Sequence, residues 1–302
     1  MHVLIKDGSR YDEHPSDQVD EKWLVISNCQ TTGLAHSFSL LCDNVYAEPC
    51  DYWLFKQNYI EIKNKIHEYA QIIISQEIKD LGLIDFNQYS NITLVPNIFF
   101  RGYHPDLCNV FHEGIPVKGP LDDYHSLIIT TAYKLGLSAD QTFNLFTHDV
   151  YSRLGYYDIW SDEKRVLVES FDQLGLDVRE SLAGWIRNGC FMHSFNHPKM
   201  EVVFDIAKLI AGKIKGHVCE SDVRPHDNLT YGPIFPIFPE LAENFGINGG
   251  SYLFKPMMQY KLLSLRTFIE KSFSAFENYP KESLNPISYH YETAMNLIKE
   301  LV

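Results

Sequence analysis

The stretch Trp23-Leu24-Val25-Ile26-Ser27-Asn28-Cys29-Gln30-Thr31-Thr32-Gly33-Leu34 constrains the fold most. Four successive apolar residues with no polar alternation fit a strand buried on both faces, as in a parallel sheet. The run stops at a polar turn. From residue 31 to 42 the spacing of Leu34, Phe38 and Leu41 predicts a helix. The pattern then recurs. Residues 45–47, 71–75, 92–95 and 98–100 read as strands, and 60–69 as a helix. Strands alternating with helices predict an α/β fold with a small parallel sheet.

The second half reads as largely helical. Tyr124, Leu127, Ile128, Thr131 and Leu135 follow helical spacing, with Gly136 as the stop. Ser138 with Gln141 is a capping-box pattern, and Thr147-His148-Asp149, with Arg153 one turn on, reads as a capped helix start. Ser161 opens a helix facing inward with Leu167, Ser170, Phe171 and Leu174. Residues 198–213 predict another, with Pro198 first, His197 as its N-cap and Lys199 in its first turn. Residues 223–256, rich in Pro, Gly and aromatics, read as a long ordered loop, and 257–273 and 286–302 as closing helices. Residues 1–21 form a polar lead-in and 22–302 one compact α/β domain with a helical C-terminal part.

The net charge of −13 argues against a nonspecific nucleic-acid or anionic-membrane binder, which needs basic surface. No apolar run reaches the length of a membrane span, and residues 1–20 are too polar for a secretory signal, so the expected location is cytoplasmic. The six cysteines show no paired spacing, which excludes a zinc ribbon or a disulfide scaffold. Aromatics make up 14% of the chain, and such side chains build either a large core or a cleft for sugars.

Three clusters could carry chemistry. A cysteine at a strand-turn-helix junction faces unpaired helix N–H groups; these lower a thiol's pKa and can hold an oxyanion. Here Cys29 stands between Asn28 and Gln30, with Gly33 allowing close approach. Phe191-Met192-His193-Ser194-Phe195-Asn196-His197-Pro198 sets two histidines just before a helix, where a neutral imidazole can serve as a base. Arg101-Gly102-Tyr103-His104-Pro105-Asp106 follows an apolar run; His104 and Asp106 suit a hydroxylated substrate, or Asp106 a histidine, and Arg101 a phosphate. Each cluster also has a purely structural explanation: a buried cysteine, a helix cap and a proline-shaped turn. No metal site is expected, because nothing supplies a third and fourth ligand to the histidines. GxSxG, the P-loop and GxGxxG are absent from the sequence.

In order, "ISNCQTTGL", "FFRGYHPD", "RLGYYDIW", "FMHSFNHPKM" and "YGPIFPIFPELAENFGINGG" resemble the WcbI family of polysaccharide-biosynthesis proteins, over residues 23–255. The opening is also similar to SGNH-type hydrolases, with Cys in place of the nucleophilic Ser. The resemblance implies an acetyltransferase that uses coenzyme A, as acetyl-CoA, and a saccharide acceptor of capsular or surface polysaccharide. By matching position, Cys29 is the thiol, with Asn28 and Gln30 beside it, and His197 or His193 is its base. Tyr103, His104, Asp106 and Asn196 fall at the saccharide. The CoA phosphates need cations, for which Arg101, Lys199 and Arg153 are placed, with Gly33 by the cofactor. A homo-oligomer is compatible with the sequence. The same residues would serve a cysteine-dependent esterase of acylated glycans, and the aromatics alone a noncatalytic carbohydrate-binding protein.

Overall fold

The apolar run forms β1 (Glu21–Ser27), a strand with Trp23 through Ser27 buried. In the computed structural model, which describes residues 19–302, it lies in a four-stranded parallel sheet. The other strands are β2 (Val45–Asp51), β3 (Gln71–Ser75) and β4 (Ile92–Val95), in the order β2-β1-β3-β4. Register pairs Val25 with Pro49 on one side and with Ile73 on the other. Most of the 1–21 lead-in lies outside the described residues.

Contacts divide the chain into two compact units, where the sequence reading has one. The first ends at Pro96 and also takes in Val203–Pro225; the second comprises Asn97–Val202 and His226–Val302. The helix Met200–Lys215 starts in the second unit and ends in the first.

In the first unit, α1 (Thr31–Leu41) turns Leu34, Phe38 and Leu41 inward, and the Phe38 ring lies 5.5 Å from that of Trp23. Leu24, Ile26, Ile72 and Ile74 join Phe55 and Phe86 in a separate cluster. That is the alternation expected of strands covered on both faces. β2 runs four residues past its predicted end because it is an edge strand, where a proline such as Pro49 is tolerated. α2 (Tyr52–Lys65) starts eight residues early. Asp51 caps it, its Oδ1 accepting the N–H of Trp53 at 2.8 Å and of Leu54 at 2.9 Å. Exposed Trp53 and Leu54 hide this helix from a periodicity search. α3 (Gln76–Asp80) follows β3 directly.

The second unit holds more strand than its sequence suggests. β5 (Leu107–His112) pairs antiparallel with Asn285–Ile287, a segment read as helix, and the final helix is Tyr291–Leu301. Residues 98–100 form no strand; the Phe100 N–H makes a single bond to the Phe195 carbonyl at 2.7 Å. The helix predicted at 257 begins at Leu265, capped by Ser264, and the one predicted from Ser161 begins at Ile159. α4 (Leu127–Leu135) and the helix Ala139–Phe143 match their signals. Gly136 takes the left-handed conformation at φ 81°, and Ser138 and Gln141 complete the capping box. No helix among the described residues is long and apolar enough to cross a membrane.

Candidate active site residues

Cys29 lies in the turn between β1 and α1, and it is exposed. Its strand has β2 on one side and β3 on the other, so the chain's path reverses beside it; ligands of open α/β sheets bind at the carboxyl ends of strands at such a point. The turn is locally knotted. Asn28 Oδ1 accepts the Gln30 N–H at 3.1 Å, and the Asn28 carbonyl accepts both the N–H (3.1 Å) and the hydroxyl (2.7 Å) of Thr31. Two expectations are corrected here. The Gln30 N–H is engaged by Asn28 rather than aimed at an oxyanion, and Gln30 itself is buried. The Cys29 thiol is also pushed above its usual 9.0, not below. Although the residue is exposed, desolvation is the largest cause; its own backbone N–H opposes this, and the Asp51 and Glu77 carboxylates add to it. Gly33 lies within α1, its carbonyl accepting the Ser37 hydroxyl.

In the second unit the two histidines differ sharply. His193 is buried, and its Nε2 lies 2.9 Å from Asp227 Oδ2. The same oxygen accepts the Met200 N–H at 3.1 Å, and Asp227 Oδ1 accepts that of Leu229. Burial would raise the Asp227 pKa, but the His193 bond and these N–H groups hold it below 3.8. The His193 carbonyl in turn takes the Phe235 N–H, so both ends of the residue are fixed by segment 227–235. Asp227 is a residue the sequence reading missed.

His197 does not cap a helix. It pairs with Ser194 in a short strand, and the helix starts at Met200, so Lys199 precedes it instead of lying in its first turn. Desolvation first, then His193, pushes the His197 pKa down to about 4, against the pull of Asp227. The Tyr124 hydroxyl donates to Asn196 Oδ1 at 2.5 Å and lies 3.4 Å from both His197 ring nitrogens.

The 101–106 block is interior. Tyr103, His104 and Asp106 are at most 1% exposed, so direct contact with a substrate hydroxyl, as expected above, is not available to them. The Tyr103 hydroxyl donates to the Gly189 carbonyl. Asp106 orients no histidine. Its Oδ1 accepts the Ile128 N–H at the start of α4 and the Tyr156 hydroxyl, while burial pushes its pKa up to about 7. Burial likewise pushes His104 down to about 3, so its imidazole is neutral; neither ring nitrogen makes a well-aligned hydrogen bond. Of the cations, Arg153 forms an exposed ion pair with Glu300 at 2.7 Å. Arg101 lies over the rings of Phe195 and Tyr289. Among the described residues no group of three or more His, Cys, Asp or Glu could hold a metal ion.

No curated protein matches this sequence. The fold is similar to a solved structure of WcbI, described as a novel polysaccharide biosynthesis enzyme in a native form without a disulfide bond between coenzyme A and one of its cysteines. That likeness has a TM-score of 0.64 at 14% identity and covers 93% of this chain and 95% of that one; it establishes the fold alone. The family model for the polysaccharide biosynthesis enzyme WcbI matches residues 22–216, most of the chain. The chain therefore belongs to the WcbI family of polysaccharide biosynthesis enzymes.

Proposed function

We propose that this enzyme transfers an acetyl group from acetyl-CoA to a saccharide hydroxyl, in the cytoplasmic assembly of a capsular or surface polysaccharide. The observation that carries the reading is an exposed cysteine on the turn after β1, in a chain of this family. The description of the WcbI structure, which pairs coenzyme A with a cysteine, supports CoA as the acyl carrier. Acetyl-CoA supplies an activated acyl carbon; this chain supplies positioning and a proton acceptor.

His193 is the base in this reading, with Asp227 fixing its ring as the third member of a triad does. A base works best with a pKa near the working pH, and His197, held at about 4, binds a proton too weakly. His193 takes the proton of the attacking saccharide hydroxyl as its oxygen bonds to the acetyl carbon, and returns it to the CoA sulfur as the C–S bond breaks. With its pKa raised, Cys29 enters as a neutral thiol, so forming an acetyl-cysteine requires deprotonation in the same step. Asn196 contacts the acceptor. Lys199, half-buried beside this segment, serves the CoA.

Calorimetric titration with coenzyme A and acetyl-CoA tests the reading. Binding of both is expected, with acetyl transfer to a glycan acceptor. Flat titrations combined with CoA-independent deacetylation of an acetylated glycan would establish a hydrolase instead.

A further inference from the structure

Arg101 is a cation whose guanidinium lies against aromatic rings in an acidic protein. Its backbone N–H is held by Glu163 Oε2 at 2.6 Å, while among the described residues its guanidinium meets rings rather than a carboxylate. It lies 4.9 Å over the ring of Phe195 and 5.5 Å over that of Tyr289. The Tyr289 ring faces solvent at 85% exposed. Burying an aromatic face normally stabilises a fold, so an open tyrosine ring held against a guanidinium marks a surface suited to an external ligand.

We infer that Arg101 and Tyr289 form a subsite for an acidic sugar of the acceptor, a pyranose ring bearing a carboxylate. This rests on the reading of the chain as a transferase acting on saccharides. The apolar face of a pyranose stacks on an open aromatic ring, and the planar guanidinium matches a carboxylate with two parallel hydrogen bonds. The location favours the acceptor over the acyl carrier. Phe195 packs 5.7 Å from Tyr124, whose hydroxyl holds Asn196 and whose ring lies 5.7 Å from His197. The anion subsite and the 193–197 segment are thus braced on one another within the same unit. In a chain of net charge −13, a local cation is what lets an acidic sugar approach at all.

The test is calorimetric titration of the intact protein with trigalacturonic acid and with uncharged galactotriose. Trigalacturonic acid is expected to bind about tenfold or more tightly, as one charge-assisted contact implies. Arg101→Gln should erase that preference, Arg101→Lys should keep much of it, and Tyr289→Ala should weaken both probes alike. None should alter the titration with coenzyme A. Equal affinity for the two saccharides, no binding of either, or a preference that survives in Arg101→Gln would overturn the proposal. Loss of coenzyme A affinity in Arg101→Gln would overturn it in favour of a CoA phosphate contact. Because these titrations need no turnover, an enzyme that binds the acidic probe but transfers no acetyl group refutes the transferase reading and leaves the subsite standing.

Discussion

At the Cys29 turn, the hydrogen bonds from Asn28 to Gln30 and to Thr31 span only two or three residues of chain. At His193 the decisive partner, Asp227, lies 34 residues away and reaches the imidazole only because a loop folds back over it. The first arrangement is a property of a short peptide set at the end of a strand. The second exists only in the folded unit. The two should therefore respond differently to mutation: the turn through chemistry alone, the pair through chemistry and positioning together.

The widest gap is expected at Cys29. Cys29→Ser should lower acetyl transfer by at least about 10³-fold, because a hydroxyl is a far weaker nucleophile than a thiol. The Asn28 hydrogen bonds to Gln30 and Thr31 do not involve the sulfur, so thermal stability and CoA affinity should hold. A variant with near-native turnover would remove the cysteine from the chemistry and leave the turn as a structural joint.

Asp227→Asn sharpens the other half. Asparagine keeps one oxygen, for the Met200 or the Leu229 N–H but not both, and cannot hold an imidazolium as a carboxylate does. Turnover should fall roughly 10²-fold with KM little changed, and Asp227→Glu should recover part of it. The acid limb of the rate profile should also move, which a purely structural role would not produce. His197→Gln, by comparison, should cost less than His193→Gln. The reverse order would make His197 the base.

The same divide explains what could be read from the chain beforehand. β1 and β3 were legible because strands buried on both faces are apolar throughout, and the capping box at Ser138 because its partners are three residues apart. The pairing of β5 with Asn285–Ile287 was not legible, since it joins segments about 175 positions apart, and Pro286 sits where a helix start looked natural. Asp227 was hidden for the same reason: nothing near it in sequence signals that its partner is His193. Asp106 shows the converse, in which a local motif suggested a site and distant partners hold the side chain in the interior.

Asp106 offers a test by pH. Its native pKa of about 7 lies above the ordinary aspartate value of 3.8. Its contribution to stability is therefore fully present below about pH 4 and lost as pH rises through about 7. Asparagine resembles the protonated acid and does not titrate. In denaturant melts, wild type should lose ground to Asp106→Asn between about pH 4 and pH 7, with the difference level above that. A difference that stays flat across the range would mean the carboxyl is ionised in the interior.

The smallest effect is expected at Arg153, whose partner Glu300 lies 147 positions away. Both side chains are exposed, at 37% and 66%, and such pairs contribute about 0–1 kcal/mol because water and salt screen them. Arg153→Ala should shift the denaturation midpoint slightly, less so at high salt, and Glu300→Ala should match it, with nothing further lost in the double variant. Affinity for coenzyme A should not move in any of the three. A CoA dissociation constant raised tenfold by Arg153→Ala but unchanged by Glu300→Ala would show that the arginine leaves its partner for the ligand, and that the local motif was the better guide to this residue.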